Sequence, residues 1–184
     1  MIQSDYEIKA LIDAGMIDGA ELNQVRTGVI SYGVTSYGYD MRCADEWQFF
    51  THDKARVIDP KAGNLHTLMT ATVAPSIKIP PNEFVLCRSL GYFRIPKDVL
   101  CVVVGKSTYA RCGLIVNTTP LEPGWEGHVT IELSNTAPLP IRVYANEGIA
   151  QVLFFRGKPC VKSYADKLGK YQGQRGITLP KVER

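Results

Sequence analysis

Residues 99–133 read VLCVVVGKSTYARCGLIVNTTPLEPGWEGHVTIEL, and the alternation inside them decides the fold. The apolar run 99–104 is short and rich in β-branched residues, which suits a buried strand that stops at Gly105. A second short apolar run follows at 113–116. Pro120, Pro123, Gly124 and Gly127 then make a turn whose backbone is fixed by its own residues. In Val129-Thr130-Ile131-Glu132-Leu133 the apolar residues occupy one face of a strand, and Thr130 and Glu132 occupy the other.

Outward from this stretch the same grammar repeats. Short strands are predicted at 139–144 and 149–155 on the C-terminal side. On the N-terminal side they fall at 47–50, 57–58, 66–73, 76–79, 83–90 and 92–93, separated by Asp59-Pro60, Pro75, Pro80-Pro81 and Pro96. Such spacing predicts a mainly β protein, a distorted jelly roll or β-barrel, with 99–105 as its most buried strand. The N-terminus differs. Ser4-Asp5-Tyr6-Glu7 has the form of a capping box, Ile8, Leu11, Ile12 and Met16 follow at helical spacing, and Gly15 marks a stop. A second short helix is expected over 19–26, while 31–40 is too glycine-rich for one. The whole chain, 1–184, reads as a single domain, ending in a polar arm over about 163–184.

Composition limits the functional classes. The chain has 184 residues, 45% of them hydrophobic, and a formal net charge of +3, too mild for a dedicated nucleic-acid binder. Met1 leads into a polar amphipathic pattern, and no apolar run approaches the ~20 residues of a spanning helix. A soluble cytoplasmic protein that engages no membrane is expected. Cys43, Cys87, Cys101, Cys112 and Cys160 are odd in number and form no Cys-x-x-Cys pair, so they read as reduced, buried thiols. His52, His66 and His128 stand apart from one another and read as surface or strand residues, without the clustered partners of a zinc site.

The chemistry-bearing residues lie in the opening stretch. Lys106, Ser107, Thr108 and Arg111 offer an ammonium, two hydroxyls and a guanidinium at the end of a strand, a donor set that suits a phosphate chain. Glu132, a carboxylate on an otherwise apolar strand, is a candidate general base. An ordinary polar turn and a solvated strand residue fit the same letters.

Five motifs in order, spanning nearly the whole chain, resemble the dCTP deaminase family of the dUTPase-like superfamily. They are Ser-Tyr-Gly-Tyr-Asp at 36–40, Gly-Lys-Ser-Thr-x-Ala-Arg at 105–111, Glu-Pro-Gly-Trp-Glu-Gly at 122–127, Thr-Ile-Glu-Leu-Ser-Asn at 130–135 and Lys-Tyr-Gln-Gly-Gln-Arg-Gly at 170–176. The resemblance implies a barrel of the dUTPase-like type and hydrolysis of dCTP to dUTP and ammonia. Zinc deaminases carry His-x-Glu and Pro-Cys-x-x-Cys signatures, and this chain has neither, so no metal is expected at the reacting carbon. Glu132 would pass protons from water to N3 and the departing ammonia, Ser107 would hold the water, and Arg111 would orient Glu132 and stabilise developing charge.

By the same resemblance Lys106, Ser107, Thr108, Tyr109, Ala110, Arg111, Gln151, Tyr164, Lys170 and Gln174 surround the nucleotide. Backbone groups of Thr130 and Ile131 would read the base edge, the Pro120 carbonyl would help hold the water, and Glu122 is either near the deoxyribose or a plain turn carboxylate. Mg2+ would accompany the triphosphate, dUTP would act as product and inhibitor, and a homotrimer would share its sites between subunits. The polar arm would close as a lid and sit loosely otherwise, so a chain ending before Lys170 should keep its melting midpoint.

Two departures stand out. The family's usual Thr-Ala pair is Thr119-Pro120 here, and the loop to 122–124 is two residues shorter than in the enteric-bacterial form. Triphosphatase relatives carry an Ala-Gly-x-Ile-Asp-x-Gly-Tyr loop, which Thr119-Pro120-Leu121-Glu122-Pro123-Gly124-Trp125 does not match. That favours a deaminase over a bifunctional enzyme releasing dUMP and diphosphate. A non-catalytic nucleotide-binding jelly roll is the third alternative, and the presence of both Glu132 and Arg111 argues against it.

Overall fold

The computed structural model describes residues 1–51 and 57–182; His52 and the last two residues of the arm lie outside them. Helix α1 (Asp5–Asp13) starts where the capping box placed it, with the Ser4 N–H donating to the Glu7 carboxylate at 2.7 Å. It buries Ile8, Leu11 and Ile12, and Gly15 leaves it at a φ of 92°.

The helix expected over 19–26 does not form. Strand β1 (Ile17–Asp18) pairs with the later Tyr92 and Phe93, and Val25 bridges Tyr32. Tertiary pairing overrides local helix preference here, because a Cβ at Gly33 would lie 2.2 Å from the Asn23 carbonyl oxygen.

Strands β2 (Gly33–Thr35) and β3 (Gly38–Phe50) form a hairpin, and β4 (Met69–Val73), entered through a 3-10 turn at Leu65–Leu68, pairs with the far half of β3. Val57 and Ile58, read as a strand, are exposed and unpaired in any ladder. After β5 (Ser76–Ile79), β6 (Phe84–Arg94) runs as one strand where two were expected. The break read at Gly91 is a bulge: the Ser89 hydroxyl donates to the Gly91 carbonyl at 2.7 Å and accepts from the Val129 N–H at 2.8 Å. Strand β7 (Val99–Gly105), the short helix α2 (Ser107–Ala110), β8 (Leu114–Asn117), β9 (Glu126–Asn135), β10 (Ile141–Tyr144) and β11 (Gly148–Arg156) complete the chain.

The main sheet runs β7-β11-β3-β6-β9-β8, with β1, β2 and β4 attached to its sides. Its two ends approach through Cys101 on β7 and Leu121, which exchange hydrogen bonds of 3.0 Å in both directions. The sheet is therefore almost closed, the barrel-like form expected of strands that would otherwise leave edges open. Strand β7 is not the most buried, since it is a terminal strand of the path and Leu100 and Val104 are each 38% exposed. The filled interior comes from Trp47, Phe93, Phe154, Ile131 and Leu133, all under 2% exposed, capped by α1 and by the small sheet β5-β10. Cys43, Cys87 and Cys101 are buried as expected, while Cys112, just past α2, is exposed; none of the five is in a disulfide. No helix among the described residues is long and apolar enough to cross a membrane.

Candidate active site

Strand β9 builds the site. Its pleat sends Val129, Ile131 and Leu133 into the core and His128, Thr130 and Glu132 to the other face. Thr130 and Glu132 line a cavity of about 800 Å3. Phe84 and Leu86 from β6 and Trp125 from the turn give it apolar walls, and Tyr164, Lys170 and Gln174 border it from the arm. Pro120 and Glu122 line it too, so the loop read from sequence faces the cavity.

Glu132 sits on a central strand, opposite Leu86 on β6 and Asn117 on β8. One of its carboxylate oxygens, Oε2, is buried and has no hydrogen-bond partner among the described residues. Burial penalises the charged form and pushes this carboxyl up to about 7, against an ordinary value of 4.5. A group that both holds and releases a proton near neutrality is what general acid–base work requires.

The backbone of β9 contributes as well. Its ladder with β8 ends at the pair Asn117 and Glu132, and on that edge the next backbone bond runs from the His128 N–H to the Gln174 carbonyl at 3.0 Å. Thr130 lies between these partners. Alternation turns its N–H and C=O toward the gap and turns those of Ile131 toward β6. Thr130 thus turns its backbone toward this gap, while Ile131 has a side chain 0% exposed and a backbone that faces the neighbouring strand.

The other predicted group stands elsewhere. Lys106 is buried, its Nζ 2.5 Å from Asp40 Oδ2, so its charge is paired inside the protein. Gln151 donates to Asp40 Oδ1 at 3.4 Å and to the Thr35 hydroxyl at 3.2 Å, and Gln24 donates to Asp40 Oδ2 at 3.2 Å. Asp40 is the hub of this network; sequence reading saw it only as the last letter of a motif. Tyr109 is also buried, its hydroxyl accepting the Tyr144 N–H at 3.1 Å. Ser107, Thr108, Ala110 and Arg111 are exposed on and beside α2, and no residue of 106–111 lines the cavity of Glu132. A single chain therefore does not bring Ser107 and Arg111 to the carboxylate.

The arm is seated on its own chain. Trp125 Nε1 donates to the Tyr171 carbonyl at 3.0 Å, the Gly173 N–H to Glu126 at 2.9 Å, and Gln172 to the Gly124 carbonyl at 3.2 Å. Gln174 gives its amide to the His128 carbonyl at 2.6 Å, and the Gly176 N–H donates to His128 Nδ1 at 3.3 Å. Burial and the nearby Arg88 and Arg175 depress the His128 imidazole, which keeps that acceptor neutral. Lys170 donates to the Lys181 carbonyl at 2.9 Å. The expectation of a loosely held arm fails for a physical reason: the turn at 124–127 exposes backbone groups that 171–174 satisfy. Residues missed in the sequence include Thr118, Trp125 and Tyr171, all cavity-lining; Trp125 and Tyr171 sat inside quoted motifs as unassigned letters.

Among the described residues no three of His, Cys, Asp and Glu are grouped so as to hold a metal. A family model described as dCTP deaminase-like matches residues 2–157. The chain is 57% identical over 182 residues to a dCTP deaminase of Acidobacterium capsulatum, covering 98% of this chain and 99% of that one. It is 58% identical over 184 residues to a dCTP deaminase of Herpetosiphon aurantiacus, with 98% and 99% covered. Among solved structures, the 2'-deoxycytidine 5'-triphosphate deaminase from Agrobacterium tumefaciens superposes with a TM-score of 0.65 at 15% identity, over 85% of this chain and 46% of that chain. That likeness is one of fold, and the chain spans less than half the length of the Agrobacterium protein. With the family model matched over most of its length and full-length relatives above half identity, the chain belongs to the dCTP deaminase-like family.

Proposed function

We propose that this protein hydrolyses dCTP to dUTP and ammonia, supplying dUTP for dUMP and dTTP synthesis, with Glu132 as the proton carrier. The observation that carries the reading is the buried, unpartnered carboxylate oxygen of Glu132 in a cavity of about 800 Å3, held near neutrality by burial. Ionised Glu132 takes a proton from water as the oxygen bonds to C4 of the cytosine, and the C4–N4 bond then breaks with protons delivered to N3 and to the leaving amine. Water supplies the oxygen of dUTP, and ammonia carries away the nitrogen.

The whole chain acts as one domain, with 163–184 as its lid. Tyr164, Lys170 and Gln174 approach the nucleotide from the lid, and Thr130 reads the base with its strand edge. Ser107, which holds the water, and Arg111, which steadies the developing charge, come from a neighbouring copy in a homotrimer. Support for this sharing comes from their position outside the cavity that contains Glu132 in their own chain. Mg2+ travels with the triphosphate, held by phosphate oxygens and water. The working place is the cytoplasm.

The test is to incubate EDTA-treated protein with dCTP and Mg2+ and to separate the products by chromatography. The expected products are dUTP and ammonia, with no zinc required. Formation of dUMP and diphosphate would identify a bifunctional enzyme, and unchanged dCTP would refute the activity. Glu132→Gln should lose at least ~10²-fold in turnover while still binding dCTP, because the amide keeps the shape and loses the base.

A further inference from the structure

Among the described residues five buried side-chain polar atoms lack a hydrogen-bond partner: Gln48 Oε1, Arg88 Nε, Thr118 Oγ1, Glu132 Oε2 and Gln172 Oε1. Only Thr118 and Glu132 of these five residues line the cavity of about 800 Å3. They are also neighbours by topology. Strand β8 ends at Asn117, whose register partner on β9 is Glu132, and Thr118 is the next residue. Three residues later Leu121 is fixed by its paired 3.0 Å bonds to Cys101. Thr118 is therefore held between two anchored points, and its hydroxyl has no structural task.

Native proteins rarely leave a buried hydroxyl unmatched, and one left so calls for an explanation such as a catalytic role or a bound water. A carboxylate accepts hydrogen bonds only, whereas a hydroxyl both donates and accepts. A water placed between the two would give one hydrogen to Glu132 and the other to the Thr118 oxygen. Both of its hydrogens are then engaged, and its lone pairs point away from both acceptors, toward an electrophile in the cavity. The Thr118 proton itself stays in place, since a hydroxyl is far too weak an acid to exchange it in this step.

We propose that Thr118 is a further catalytic residue, whose hydroxyl holds the attacking water against Glu132 from within the same chain. This rests on the deaminase reading above and adds a second acceptor to the water that Ser107 contacts. It also gives one chain a partly built water site before any neighbour arrives.

The test compares Thr118→Val, which keeps the branched shape and removes the hydroxyl, with Thr118→Ser, which keeps the hydroxyl. Turnover, KM and the melting midpoint without nucleotide are measured for each. Thr118→Val should lose about 10- to 100-fold in kcat with KM within a few-fold, the signature of an interaction used in the reaction step. Its midpoint should equal or exceed that of the wild type, because no hydrogen bond of the folded chain is removed. Thr118→Ser should recover most of the turnover. A kcat for Thr118→Val within two-fold of wild type would overturn the proposal. So would a rise in KM alone, which would put the hydroxyl on the base, or a fall in midpoint matching the loss of activity, which would make its role structural. Thr118→Ala, read the same way, decides the matter if the Val variant does not fold. A wild-type protein that leaves dCTP untouched would instead refute the deaminase reading beneath it.

Discussion

At the scale of single residues, ionised Glu132 makes the protein less stable. Its folded-state value of about 7 lies above the ordinary 4.5, so the folded chain binds this proton more tightly than the unfolded chain. The stabilisation is complete below about pH 4.5 and is lost as pH rises through about 7. Glu132→Gln carries no such loss. Its melting midpoint, relative to the wild type, should therefore be higher at pH 8 than at pH 5, and a difference that stays flat with pH would remove burial as the cause of the shift. Glu132 was legible because a carboxylate in a strictly alternating strand has only one face to occupy. Lys106 was not: its sequence neighbours suggest a phosphate ligand, and its partner Asp40 lies 66 residues away, on a strand that pairs with β11.

At the scale of elements, the first helix and most strands were readable, but β1, β2 and the first half of β3 were missed, Val57-Ile58 forms no strand, and the junctions were not legible. Gly91 looks like the end of a strand because glycine weakens one, yet the Ser89 hydroxyl carries the ladder across it. The arm shows the same limit. Its glycines and cations suggest mobility, while the bonds from Trp125, Gln172, Gly173 and Gln174 fix it to the turn at 124–127 and to β9. A chain ending at Gly169 should consequently melt lower than the full chain, by about 2–4 °C for each kcal/mol of lost contact. The increase in midpoint produced by dCTP should shrink as well, as binding weakens. Ligand-induced increases of equal size in the two chains would remove Lys170 and Gln174 from the site.

At the scale of the whole molecule, the barrel sets apart residues that the proposed reaction would bring together. Glu132 opens on the arm-covered cavity, and Ser107 and Arg111 stand exposed beside α2. Chains carrying Glu132→Gln and chains carrying Ser107→Ala should each be inactive alone. Refolded together in equal amounts, they should regain about a quarter of wild-type activity, since random assembly leaves that share of shared sites intact. No recovery would place both residues in one chain's site. Strand periodicity could not disclose that Ser107 and Arg111 lie outside the cavity of Glu132, because alternation says which face a residue takes and nothing about which residues share a cavity. His128, Thr130 and Glu132 lie on one face of a strand held by neighbours, so the arm's anchor and the proton carrier are ~13 Å apart on a fixed ruler. If the arm acts as the proposed lid, its opening and closing would set how long a nucleotide resides without moving the carboxylate, leaving residence time and chemical step free to be tuned separately.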